Sequence, residues 1–101
     1  MTIYIAGSIK DDPNYRTKFS AAESYLIMKG WTVLNPACLP EDLKPTAYMP
    51  ICLAMVSAAD ALVVLAGSES SEGAAVEQKF ARYQGIPVYH GLEAVPMPKE
   101  V

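Results

Sequence analysis

Residues Ala61–Ala66 read Ala-Leu-Val-Val-Leu-Ala, an unbroken apolar run. A strand with one wet face alternates apolar and polar residues, because successive side chains point to opposite sides of the sheet. This run has no polar side to turn to water. The strand it predicts is therefore covered on both faces, as in a parallel sheet held between layers of helices. Thr2–Ala6 (Thr-Ile-Tyr-Ile-Ala) is similarly rich in β-branched and aromatic residues and ends at Gly7-Ser8. Shorter runs at Trp31–Asn35 and Ile86–His90 predict two further strands, the first of them closed by Pro36.

The segments between carry helix signals. Asp12-Pro13 reads as an N-cap followed by a proline at the first helical position. Tyr15, Phe19, Ala22 and Leu26 then recur at the spacing of one helix face, and Gly30 stops the helix. Pro50 predicts the start of a short helix running to Ala58, since proline deeper inside a helix would break it. A helix over about 73–84 follows the third strand, with Val76, Phe80 and Tyr83 as its apolar stripe, Lys79 and Arg82 opposite, and Glu77 on the margin. Pro36–Pro45 reads as a long proline-rich loop, and long loops are often functional. The element order predicts a single α/β domain over residues 1–101, with 91–101 as an irregular tail. Its architecture is a Rossmann-like or flavodoxin-like three-layer sandwich around a parallel sheet of four to five strands.

Composition narrows the partners. The chain has 101 residues, 51% of them hydrophobic, and a net charge of −3. With no Lys/Arg cluster it lacks the basic face that a nucleic-acid polymer requires. A small anion is still accessible to backbone amides at a helix start. Cys38, Cys52 and His90 have no metal-type spacing, so no metal site is expected. The first residues carry no basic region ahead of an apolar stretch, and no apolar run reaches the roughly 18 residues that span a bilayer. The expectation is a cytoplasmic protein with free thiols and no membrane partner.

In such sheets ligands bind beyond the carboxyl ends of the strands, where three loops arrive: Gly7-Ser8-Ile9, Asn35-Pro36-Ala37 and Gly67–Gly73. The third reads Gly-Ser-Glu-Ser-Ser-Glu-Gly. Its serines suit two ends: capping the following helix, or holding a phosphate or carboxylate together with the helix amides. Glu77, one turn in, is either a rim glutamate in water or a half-buried carboxylate with a displaced pKa. Tyr4 belongs to the first strand, with its hydroxyl at a sheet edge or end. Ser8 follows a glycine where a backbone approaches a ligand closely. The full G-x-G-x-x-G pattern, a P-loop and a G-x-S-x-G elbow are all absent, and no cofactor is expected. His90 has no acidic or thiol partner in sequence and reads as structural.

Taken together, Tyr4-Ile-Ala-Gly-Ser-Ile9, Asn35-Pro-Ala, Ala58-Ala-Asp60 and Ser71-Glu-Gly-Ala-Ala-Val-Glu77 resemble the nucleoside 2-deoxyribosyltransferase superfamily over residues 1 to about 90. The likeness is to its small phage and bacterial members of uncharacterised function, and the superfamily also holds 2′-deoxynucleoside 5′-phosphate N-hydrolases. The resemblance implies that Glu77 is the nucleophile, attacking the anomeric carbon of a deoxyribose to give a glycosyl ester that water or a second base resolves. It implies that Tyr4 hydrogen-bonds near Glu77 and that Ser71 holds a 5′-phosphate or 5′-hydroxyl. It also implies that Gly7 and Gly73 let the ligand approach the backbone, and that the chain forms a homodimer or larger homo-oligomer. Asp60 matches a family position at the helix–strand junction. Eight residues before it, where catalytic members carry an aspartate, stands Cys52. A thiol does not replace a carboxylate as an acid or base at neutral pH.

Three functions follow. One is a nucleotide or nucleoside N-glycosidase, or a deoxyribosyltransferase. Another is a non-catalytic binding protein that sequesters a nucleotide or a nucleotide-derived signal, favoured by Cys52. The third is an assembly domain using Trp31, Met49 and Met55 at an interface.

Overall fold

A computed structural model describes residues 1–100. Its strands are β1 (Thr2–Ala6), β2 (Thr32–Leu34), β3 (Ala61–Val64) and β4 (Val88–His90), and its helices are α1 (Tyr15–Met28), α2 (Tyr48–Ala58) and α3 (Glu72–Tyr83). The strands pair in parallel in the order β2-β1-β3-β4. This is the flavodoxin-like arrangement, with four strands. The order reverses between β1 and β3, which places the topological switch point, and the crevice that accompanies it, at the ends of those two strands.

Alternation along the central strands builds two cores. Ile3, Ile5 and Val63 face α1 through Phe19, Ala22 and Leu26. Tyr4, Ala6, Leu62 and Val64 face the opposite layer, where Cys52 and Val56 of α2 meet Ala74 and Ala81 of α3. Every residue of β3 is buried, as its unbroken apolar run requires.

The boundaries differ from the sequence expectations in ways that have local causes. Helix α1 begins at Tyr15, two residues beyond Pro13, and its N-cap Asn14 makes no side-chain cap bond. The Asp12 carboxylate instead accepts the Asn14 N–H at 2.9 Å and pairs with Lys18 at 2.8 Å. It forms a turn before the helix rather than a cap on it. Helix α2 begins two residues before Pro50, which lies in the first turn, where its missing N–H costs no helical bond.

The tail is the larger correction. Residues 92–94 and 98–100 form short 3₁₀ turns, and Val95 is buried in the α1-side core. The Trp31 indole donates to the Pro96 carbonyl at 2.9 Å, and Lys29 donates to the Val95 carbonyl. One apolar anchor and two donors to its carbonyls outweigh the tendency of a Pro-rich segment to stay irregular. Because Trp31 is the only tryptophan, deleting residues 91–101 is expected to shift its fluorescence to longer wavelength and to lower the thermal midpoint. An unchanged emission maximum would show that the tail does not cover the ring.

Candidate functional site

Tyr4 lies in the middle of β1, between Leu34 of β2 and Leu62 of β3, and its ring enters the layer beneath α2 and α3. There its hydroxyl donates to Glu77 Oε2 at 2.8 Å. Glu77 is only 6% exposed. It does not sit on the margin of its helix. The buried face of α3 is Ala74, Glu77 and Ala81, while Val76 is 44% and Tyr83 90% exposed. Of the expected Val76–Phe80–Tyr83 stripe only Phe80 packs against the core; Val76 and Tyr83 turn outward because α3 meets the sheet mainly through the small residues Ala74 and Ala81. Where Glu77 falls on that face, the tyrosine supplies the hydrogen bond that makes its burial tolerable. Among the described residues no buried side-chain polar atom lacks a partner.

Cys52 of α2 is buried beside both groups. Burial raises the Glu77 pKa to about 7, against the opposing pull of the Tyr4 hydroxyl and the Cys52 thiol. The Tyr4 hydroxyl is pushed far above its ordinary range, first by burial and then by the Glu77 charge. Burial also raises the Cys52 pKa, with the Tyr4 hydroxyl opposing it. The thiol is therefore protonated at neutral pH and unreactive. The cluster holds one carboxyl group poised between its two protonation states, one neutral phenol and one neutral thiol.

At the carboxyl ends of β1 and β3 the loops meet. Ser68 Oγ accepts the Ser8 N–H at 3.2 Å and so joins the two sides of the switch point. A side chain on Gly7 would meet Phe19 Cζ at 3.1 Å and Ser68 Oγ at 3.2 Å, which is why glycine stands there. Ser71 caps α3, its Oγ accepting the Ala74 N–H at 3.2 Å. Ile9 packs against the α1-side core. Sequence reasoning missed Ser68. Its loop was singled out, but nothing local distinguishes the one serine that turns inward.

Asn35 and Asp60 each make hydrogen bonds within the fold. Asn35 is buried at the end of β2, where its Oδ1 accepts the Ala37 N–H at 2.9 Å and its Nδ2 donates to Glu23 at 3.0 Å. Both ends of its amide are thus engaged in holding the Pro36–Cys38 turn to α1. Asp60 sits at the opposite, amino end of the sheet, where its Oδ2 accepts the Thr2 N–H at 2.8 Å.

A cavity of about 490 Å³ opens beside Ser68, Ser71, Gln78 and His90, on the other flank of α3 from Cys52. A second, about 240 Å³, lies between Arg16, Glu23, Asn35 and Cys38. Neither is lined by Glu77. Among the described residues, no group of three His, Cys, Asp or Glu side chains is placed to hold a metal ion, and no helix is long and apolar enough to cross a membrane.

A family model described as a domain of unknown function, DUF4406, matches residues 1–90. Among solved structures, the chain is similar to a 2-deoxyribosyltransferase from the psychrotolerant bacterium Bacillus psychrosaccharolyticus. The two are 22% identical, the match covers 89% of this chain and 71% of that one, and the TM-score is 0.72. A likeness at that identity shows a shared fold. No curated protein matches the chain.

Proposed function

The chain belongs to the DUF4406 family, and from that premise we propose that it is a binding protein for a nucleoside or nucleotide, including nucleotide-derived signals, which it holds without efficient turnover. The ligand's sugar lies against Glu77 and Tyr4, and its 5′ end lies toward Ser71, Gly73 and the first amides of α3. Gly7 and Ser8 form the opposite wall. The fold shared with the deoxyribosyltransferase supports the ligand class.

One observation carries the non-catalytic side of the reading: the titratable neighbour of Glu77 in α2 is a buried neutral thiol. Double displacement at an anomeric carbon uses two carboxyl groups about 5 Å apart, one attacking while the other protonates the leaving base. No second carboxylate is among the groups that set the titration of Glu77. Loss of such an acid–base group costs roughly 10²–10⁴-fold in rate.

The Tyr4–Glu77 contact favours a second reading, an N-glycosidase or deoxyribosyltransferase with Glu77 as nucleophile and Tyr4 positioning it. One experiment separates the two. The protein is titrated by calorimetry with deoxynucleosides, ribonucleosides and their 5′-phosphates, and each mixture is then resolved by chromatography. Binding with the ligand recovered whole is the expected result; stoichiometric free base establishes the glycosidase instead. Absence of both binding and base release across the panel rejects the ligand class. A homodimer or larger homo-oligomer in a reducing, cytoplasmic setting belongs to the same proposal.

A further inference from the structure

The cavity of about 490 Å³ at the carboxyl ends of β3 and β4 stands apart from the buried cluster, because neither Glu77 nor Tyr4 lines it. Val64 and Leu65, both buried at the end of β3, form its floor, and Ala75 of α3 belongs to one wall. Its polar groups come from three separate segments. Ser68 and Glu69 arrive on the β3–α3 loop, Gln78 on α3, and His90 and Glu93 on β4 and the turn that follows it. A volume of this size suits a small molecule.

The charge around the cavity has one sign. Glu69 and Glu93 line it and no Lys or Arg does. Among the described residues neither carboxylate makes a salt bridge. Glu93 is brought back to the end of β4 by the backbone: its Oε1 lies 2.5 Å from the place a Gly91 Cβ would take. Only glycine leaves that space, and its φ of +91° calls for the same residue. The Gly91 N–H donates to the Val64 carbonyl at 2.9 Å, which ties this turn to the cavity floor. Ser68 is 5% exposed, and its Oγ accepts the Ser8 N–H. A hydroxyl oxygen has two lone pairs, so Ser68 can accept from the cavity as well.

We propose that this cavity is a second binding site, and that its ligand is a linear aliphatic diamine or polyamine. The methylene stem lies over Val64 and Leu65, and the ammonium groups are taken by Glu69 and Glu93. An anion would face two carboxylates with no cation to offset them. A metal ion is not held there, since no group of three His, Cys, Asp or Glu among the described residues is placed for one. An uncharged apolar ligand would cover the polar groups without pairing them. An ammonium group on an aliphatic stem satisfies both the floor and the carboxylates, as a lysine side chain does on a mixed surface. The site does not depend on the nucleoside reading. Ser68 joins the two, because the same oxygen that lines the cavity holds Ser8 across the switch point.

Titration calorimetry of the full chain with cadaverine, a five-carbon diamine, tests the proposal. The diol of the same length is the uncharged control. Saturable binding of the diamine and none of the diol is the expected result. Glu69→Gln and Glu93→Gln, both at exposed positions, are each expected to weaken the diamine about threefold to fivefold, and the double variant about tenfold. Glu100→Gln removes an exposed carboxylate that does not line the cavity and leaves the affinity unchanged. Amide resonances of Ser68, Gln78 and Gly91 are expected to shift as the diamine is added, and that of Ser8 with them through its bond to Ser68. Absence of saturable diamine binding, binding of the diol as tight as that of the diamine, or a double variant with the parent affinity each overturns the proposal. No nucleoside enters this experiment, so its failure leaves the nucleoside reading standing, and the failure of that reading leaves this site untouched.

Discussion

Replacing Glu77 with alanine is expected to destabilise the protein by about 1–3 kcal/mol at pH 5.5, the cost of a buried hydroxyl left without an acceptor. Tyr4 is fully buried and Glu77 Oε2 is its hydrogen-bond partner. At that pH the carboxyl group is protonated, since its pKa stands at about 7, and its removal relieves no buried charge. Glu77→Gln keeps an acceptor of nearly the same shape and is expected to lie much closer to the parent. Tyr4→Phe removes the donor, and the double variant Tyr4→Phe/Glu77→Ala should lose less than the sum of the single losses, because the two side chains satisfy each other. Urea titrations of the four proteins give the comparison. Additive losses would show that the hydrogen bond carries no coupling, and the account of how a carboxyl group comes to lie under α3 would fall with it.

The stability of the parent is expected to decline between about pH 4.5 and pH 7, with Glu77 as a principal cause. Its folded pKa of about 7 lies above the ordinary carboxylate value of 4.5. Below 4.5 the group is protonated in both states and contributes no slope. Between 4.5 and 7 the unfolded chain gives up the proton first, so raising the pH favours unfolding. Above 7 both states are ionised and the penalty is constant. At about 1.4 kcal/mol per pH unit this interval amounts to roughly 3 kcal/mol. Asp12 is shifted in the opposite direction, downward by Lys18, and titrates below this window. Glu77→Gln should therefore flatten the profile and be more stable than the parent at pH 8. A variant with the same slope as the parent would mean that Glu77 is ionised in the fold throughout and is reached by water.

The same residue shows how far the sequence could be read. Ala61–Val64 and Thr2–Ala6 announced a sheet covered on both faces, because continuous apolarity is a local property of the chain and excludes a wet side. Gly30 and Gly85 mark helix ends in the left-handed region, a requirement that a single residue states by itself. The helix face was misread for a non-local reason. Counting large apolar residues along α3 selected Val76, Phe80 and Tyr83, of which only Phe80 packs inward, whereas the buried face is centred on the small residues Ala74 and Ala81. Glu77, lying in phase with them, is carried inside.

What the sequence alone determined, then, is the layered fold and the set of loops that meet at one end of the sheet, since strand continuity, helix punctuation and glycine geometry are written residue by residue. The tertiary structure decided which way α3 faces, which serine crosses the switch point, that the tail docks through Val95, and that Tyr4, Cys52 and Glu77 share one buried cluster. Those outcomes depend on distances between elements remote in the chain, and close packing sets such distances only when all the layers are assembled together.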